Sequence, residues 1–107
     1  MAQLTRIVRL LAVCAAALAV AGSAERRGYV PEKGFVPNAT TAVRIAEAVL
    51  GPIYGDEHIA QEEPFTATLK DGTWTVQGHL PAEYKGGVAC VEISKSDGRI
   101  LYVMHGQ

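Results

Sequence analysis

Cysteine is almost missing from this sequence of 107 residues, which has only Cys14 and Cys90. Cys14 falls in an N-terminal leader described below, so the remaining chain keeps one thiol and closes no internal disulfide, even in an oxidising compartment. Its core must hold without covalent staples, and a body of about 80 residues buries only a modest share of its surface. Excess basic charge is lacking too. The formal net charge is −1, and without the leader's Arg6 and Arg9, eight basic side chains stand against eleven acidic ones, a net of −3. Lys70, Lys85, Lys95 and Arg99 are scattered among acids, which excludes the basic face a polyanion needs, so nucleic acid is not an expected partner. A membrane-spanning run is absent as well: Leu10 to Ala21, LLAVCAAALAVA, is too short for a span, which takes about 20 residues. Repeats are lacking. Two aromatic-Val-Pro steps, Tyr29-Val30-Pro31 and Phe35-Val36-Pro37, fall far below any stacking unit.

What the N-terminus does contain is a secretory signal peptide. Arg6 and Arg9 precede the apolar run, and small residues follow it. Cleavage after Ala24 is expected first, with Gly22 at the other small-residue position, and cleavage after Ala21 second. A lipoprotein reading of Leu11-Ala12-Val13-Cys14 is set aside, because Val13 is bulky and Cys14 lies in the middle of the run. The expected location is therefore periplasmic or secreted, with membrane contact only through the uncleaved signal segment.

Residues 25–38 read as an irregular arm, since each proline pushes the residue before it to extended geometry and leaves two apolar anchors. Asn38 is placed to cap a helix whose apolar stripe is Ala42, Ile45, Ala46, Val49 and Ile53, at spacings of three and four. Pro52 should bend or end it, and Gly55 should stop it. Asp56 to Glu63 is an acidic loop or a short extra turn.

Pro64 to Leu80 is the most legible stretch. Asp71-Gly72 suits a two-residue type I′ turn, in which both residues take positive φ. Pairing outward sets Leu69 opposite Trp74, Ala67 opposite Val76 and Phe65 opposite Gly78, with Thr68 against Thr75 and Thr66 against Gln77 on the other face. A slip of one residue would mix the threonines with the apolar set, which fixes the register. After a Gly86-Gly87 connection, Val88 to Ser94 and Arg99 to His105 flank Asp97-Gly98 as a second hairpin. Two registers fit it. A two-residue loop places Ile93 by Tyr102 and Val91 by Met104, whereas a three-residue loop with a glycine bulge brings Leu101 and Val103 to that face. Residues 100–104 are apolar on both sides, as in a central strand or an edge used by a partner. The sum is an α+β domain over 39–107: one amphipathic helix on a bent four-stranded antiparallel sheet.

Several residue blocks carry a family resemblance. They are Gly28-Tyr29-Val30-Pro31, Thr41-Ala42-Val43-Arg44-Ile45-Ala46-Glu47-Ala48, Pro52-Ile53-Tyr54-Gly55, Glu63-Pro64-Phe65, Trp74-Thr75-Val76-Gln77-Gly78-His79-Leu80-Pro81, Gly86-Gly87-Val88-Ala89, Gly98-Arg99-Ile100-Leu101 and His105-Gly106. In this order and spacing the chain from Gly28 onward resembles the immunity proteins of nuclear transport factor 2-like fold, small bacterial proteins that neutralise toxins of polymorphic toxin systems. The resemblance implies a cone-shaped helix-plus-curved-sheet domain, a cognate protein toxin as partner, inhibition by binding, and neither catalytic residues nor a cofactor. Two alternatives share the architecture: a small-ligand-binding or vestigial enzyme domain using the conical cavity, and a secreted protease inhibitor of cystatin-like build. For the last, Thr75-Val76-Gln77-Gly78 only faintly matches the expected inhibitory wedge.

Candidate sites are few. Glu83-Tyr84-Lys85, beside the two glycines, is the expected partner-binding patch, because an exposed tyrosine offers large contact area at low entropic cost; the alternative packs Tyr84 back over the sheet. Trp74 is a core residue first and a pocket-lining residue second. His58, His79 and His105 have no metal-ligand spacing among themselves, so no metal site is expected and solvated or hydrogen-bonded histidines are. In the two-residue register Cys90 falls opposite His105, a nucleophile-and-base pair without an orienting group; a small strand hydrophobe is the expectation for Cys90. Asp56, Glu57, Glu62 and Glu63 could mimic nucleic acid toward a nuclease toxin, against the ordinary reading of a solvated acidic loop.

Overall fold

The computed structural model describes residues 26–106, so the signal-peptide expectation for 1–24 lies outside the described residues. The order of elements is α1 (Ala39–Tyr54), α2 (Asp56–Ala60), β1 (Thr66–Lys70), β2 (Thr73–Gln77), β3 (Ala89–Ser94) and β4 (Ile100–His105). The strands form one antiparallel sheet in the order β1-β2-β3-β4. Helix α1 lies across β1, β2 and β3, the α+β arrangement expected.

Helix α1 begins as its cap predicts: Asn38 Oδ1 accepts from the Thr41 amide at 2.8 Å. Its buried face is Ala42, Ala46, Leu50 and Gly51, with Ile45 partly covered. The expected stripe therefore needs correcting at its C-terminal end, where Ile53 is 56% exposed and Leu50 takes the core position. Spacings of four from Ala42 to Leu50 make the buried row, and Ile53, in the last turn after Pro52, stands outside it. Pro52 sits inside the last turn without ending the helix at once. The chain turns at Gly55, with φ of 97°.

The first hairpin has the expected register at every pair from Thr66 opposite Gln77 to Lys70 opposite Thr73. Both turn residues have positive φ, 50° at Asp71 and 75° at Gly72, the type I′ requirement that matches strand twist. Trp74, Val76 and Phe65 are buried, and β3 alternates strictly, with Ala89, Val91 and Ile93 inward. Leu69, next to the turn, is half exposed.

The second hairpin resolves in favour of a bulge. Val91 pairs with Val103 and Glu92 with Tyr102, then Ile93 pairs with Ile100, leaving Leu101 as the extra residue. Val103 reaches the core as the bulged alternative requires, but Leu101 is 45% exposed. β4 is an edge strand beyond the cover of α1, which is why Ile100, Tyr102 and Met104 also remain partly exposed.

The arm has one anchor where two were expected. Val36 is fully buried, while Tyr29 and Val30 lie in solvent. Phe35 and Val36 donate their amides to Ser96 and Lys95 carbonyls, each at 3.0 Å. The Trp74 indole N–H donates to the Val36 carbonyl at 2.8 Å, so the arm is tied into the core.

Candidate functional site

Where α2 meets the C-terminal end of β4, a chain-local spacing and a long-range contact converge. His58 and Glu62 stand four residues apart, and successive tight turns after α2, Glu62 N–H to Ile59 O at 3.0 Å and Glu63 N–H to Ala60 O at 3.2 Å, keep them on one side. Glu62 points inward and is 6% exposed. Its Oε1 accepts from the Ala89 amide at 2.6 Å, and its carbonyl accepts from the His79 amide at 2.6 Å. Room for the carboxylate comes from Gly78, where any Cβ would overlap Glu62 Oε1. Glycine here serves close approach, with no special backbone angle involved.

The other carboxylate oxygen faces two imidazoles. Glu62 Oε2 lies 2.8 Å from His105 Nε2 and 3.3 Å from His58 Nε2, and the two ring nitrogens are 3.1 Å apart. His105 Nδ1 lies 2.7 Å from the Gly106 carbonyl. A carbonyl only accepts, so that nitrogen carries the proton and Nε2 is aimed into the cluster. The rings of Tyr54 and His58 flank His105, with centroids at 5.2 and 5.1 Å. The hydrogen bond to Glu62 raises the His105 pKa above the ordinary histidine value, against the opposing effect of burial. Each of the three side chains offers one atom to a group within 4.8 Å, a donor set that can hold a metal ion.

The cluster forms one wall of a pocket of about 340 Å³, whose far side includes Leu80, Pro81, Tyr84, Lys85 and Gly87. Tyr84 is 60% exposed at this rim, so it does not pack back over the sheet. Lys85 lines the pocket with it, and Glu83 is exposed alongside without joining the lining. Trp74 is elsewhere. It is 7% exposed in the core, and its N–H is spent on Val36, so the pocket-lining place expected for it is taken by residues at the opposite end of the sheet.

One alternative is ruled out and one expectation corrected. The Cys90–His105 pair does not form, because the bulged register sets Cys90 against Met104 and His105 against Ala89; burial, with Glu92 nearby, raises the Cys90 pKa and keeps the thiol protonated. The acidic segment is not uniformly solvated either. Asp56, Glu57 and Glu63 are exposed, but Glu62 is buried. The spacings among the histidines do not reveal it; the signal visible in the sequence is the one-turn spacing of His58 and Glu62. His79 lines the pocket outside the three-residue cluster.

Comparison with known proteins finds a family match for the chain. Residues 41–107 match the family model described as NTF2 fold immunity protein. YhhH of Escherichia coli (strain K12), an uncharacterized protein, is 33% identical over 84 residues, 78% of this chain and 66% of its own length. YbbC of the same organism, also uncharacterized, is 34% identical over 76 residues, 70% of this chain and 62% of its own. The chain thus spans somewhat under two thirds of the length of these relatives. No solved structure matches.

Proposed function

Because the chain belongs to the family of NTF2-fold immunity proteins, we propose that it binds a cognate protein toxin and neutralises it by occlusion, without catalysis of its own. The family match over residues 41–107 is the observation that carries this reading. The contact face is the rim around Tyr84 and Lys85. An exposed tyrosine next to an apolar-walled recess is the kind of anchor that dominates protein interfaces, and the loop between β2 and β3 carries it at the pocket rim. The signal-like features of 1–24 support an encounter with the toxin outside the cytoplasm, in the periplasm or after secretion.

The test begins with affinity purification of the tagged protein from its native cells and mass spectrometry of what co-elutes. A co-eluting toxin is then expressed with and without this chain in a sensitive host. Survival that depends on the chain supports the reading; death in both cases sinks it. The pocket supports a second reading, since about 340 Å³ is within the range of small-ligand sites, roughly 300–1,000 Å³. A small molecule found by soaking to bind between Tyr84 and His105 would favour it.

A further inference from the structure

We propose that His58, Glu62 and His105 form a binding site for one divalent transition-metal ion of the zinc class. The spacing is that of a coordination shell. Zinc with bonds of about 2.0–2.1 Å at tetrahedral angles sets its ligand atoms roughly 3.3 Å apart, and here the three atom pairs are separated by 2.8, 3.1 and 3.3 Å. Two imidazoles and one carboxylate select zinc over calcium or magnesium, which take oxygen ligands almost exclusively.

The surroundings prepare each ligand. His105 gives its Nδ1 proton to the Gly106 carbonyl, and such a bond fixes the tautomer that leaves Nε2 free to coordinate. Glu62 is pinned through Oε1 by the Ala89 amide, leaving Oε2 to the metal. Among the described residues, the ion pairs of this buried carboxylate are with the two histidines alone. With Glu62 ionised and both imidazoles unprotonated at Nε2, the three side chains present three electron-pair donors to one point, and a divalent cation there takes the place of the proton that His105 otherwise shares with Glu62. All three ligands line the pocket, so a fourth coordination position opens into it. Bound metal would also join α2 and the turn after it to the end of β4, through ligands 43 and 47 residues apart in sequence.

The site stands independently of the toxin reading. Its test uses the full chain, freed of any polyhistidine tag and treated with chelator, titrated with zinc chloride by calorimetry, with cobalt(II) chloride added separately for visible absorption. One zinc per chain, a rise in melting temperature on addition, and the visible bands of tetrahedral cobalt are expected. Outer-shell substitutions at metal sites cost about 10- to 100-fold in affinity, so loss of a ligand in His58→Ala or His105→Ala is expected to cost at least the larger factor. His79→Ala, whose ring lines the same pocket, should retain binding. His58 is the exposed member, so its variant tests the site without disturbing the fold. Absence of stoichiometric zinc binding overturns the proposal. So does binding that survives both ligand variants, or that is lost in His79→Ala to the same extent.

Discussion

Glu62 Oε1 accepts the amide proton of Ala89 at 2.6 Å, fastening the segment after α2 to the first residue of β3. This one bond sets the end of the helical layer against the end of the sheet, and it depends on a carboxylate that is almost wholly buried. Glu62→Ala removes the acceptor and strands both the amide and His105. The expected loss is about 2–4 kcal/mol, with Glu62→Gln costing less because an amide oxygen still accepts. Urea unfolding in the presence of chelator measures both, and equal losses would contradict the assignment to the Ala89 bond.

Gly78 is the second half of that fit. A Cβ there overlaps Glu62 Oε1 and presses on the Phe65 ring, so Gly78→Ala is expected to destabilise by about 1–3 kcal/mol, as overpacking does. Gly28 has open space around it, and Gly28→Ala should stay within about 0.5 kcal/mol of the parent. The pair of denaturation curves separates a steric effect from a general cost of replacing glycine.

Trp74 holds the arm through the Val36 carbonyl. Trp74→Phe keeps most of the ring but drops the donor, leaving a buried carbonyl unmatched at about 1–3 kcal/mol. Limited proteolysis in the segment before Asn38 should accelerate as the arm is released. Unchanged cleavage would show that the backbone bonds to Lys95 and Ser96 suffice.

The turn of the second hairpin carries a pH dependence. The Arg99 amide, bonded to Asp97 Oδ1 at 3.0 Å, is the largest cause holding the Asp97 carboxyl below its ordinary value, with Ser94 adding to it. A depressed folded value means the stabilisation is present above the unfolded pKa and is lost as pH falls through the folded one. The stability advantage of the parent over Asp97→Asn should shrink as pH drops from about 6 to about 3. An advantage constant with pH would contradict it.

On the toxin reading, Tyr84→Ala should weaken the complex by about 1–2 kcal/mol or more, read as a faster dissociation rate in surface plasmon resonance, while leaving the melting temperature unchanged because the ring is exposed. Unaltered dissociation would move the interface away from this rim.

Local chemistry alone determined much of this protein. Asp71-Gly72 and the threonine-against-apolar alternation fixed one hairpin to the residue, since a two-fold strand period leaves no second register that buries the same face. Asn38 fixed the start of α1 for a similarly local reason, a side-chain acceptor within reach of the first turn. Only the tertiary structure decided the bulge at Leu101, because both hairpin registers bury comparable apolar residues and the choice falls to how β4 meets β3. Only it, too, brought His105 across the chain to His58 and Glu62. Composition marked Glu62 as one acid among four, and its burial follows from the void at Gly78 and the amide of Ala89, contacts between segments that no short-range pattern encodes.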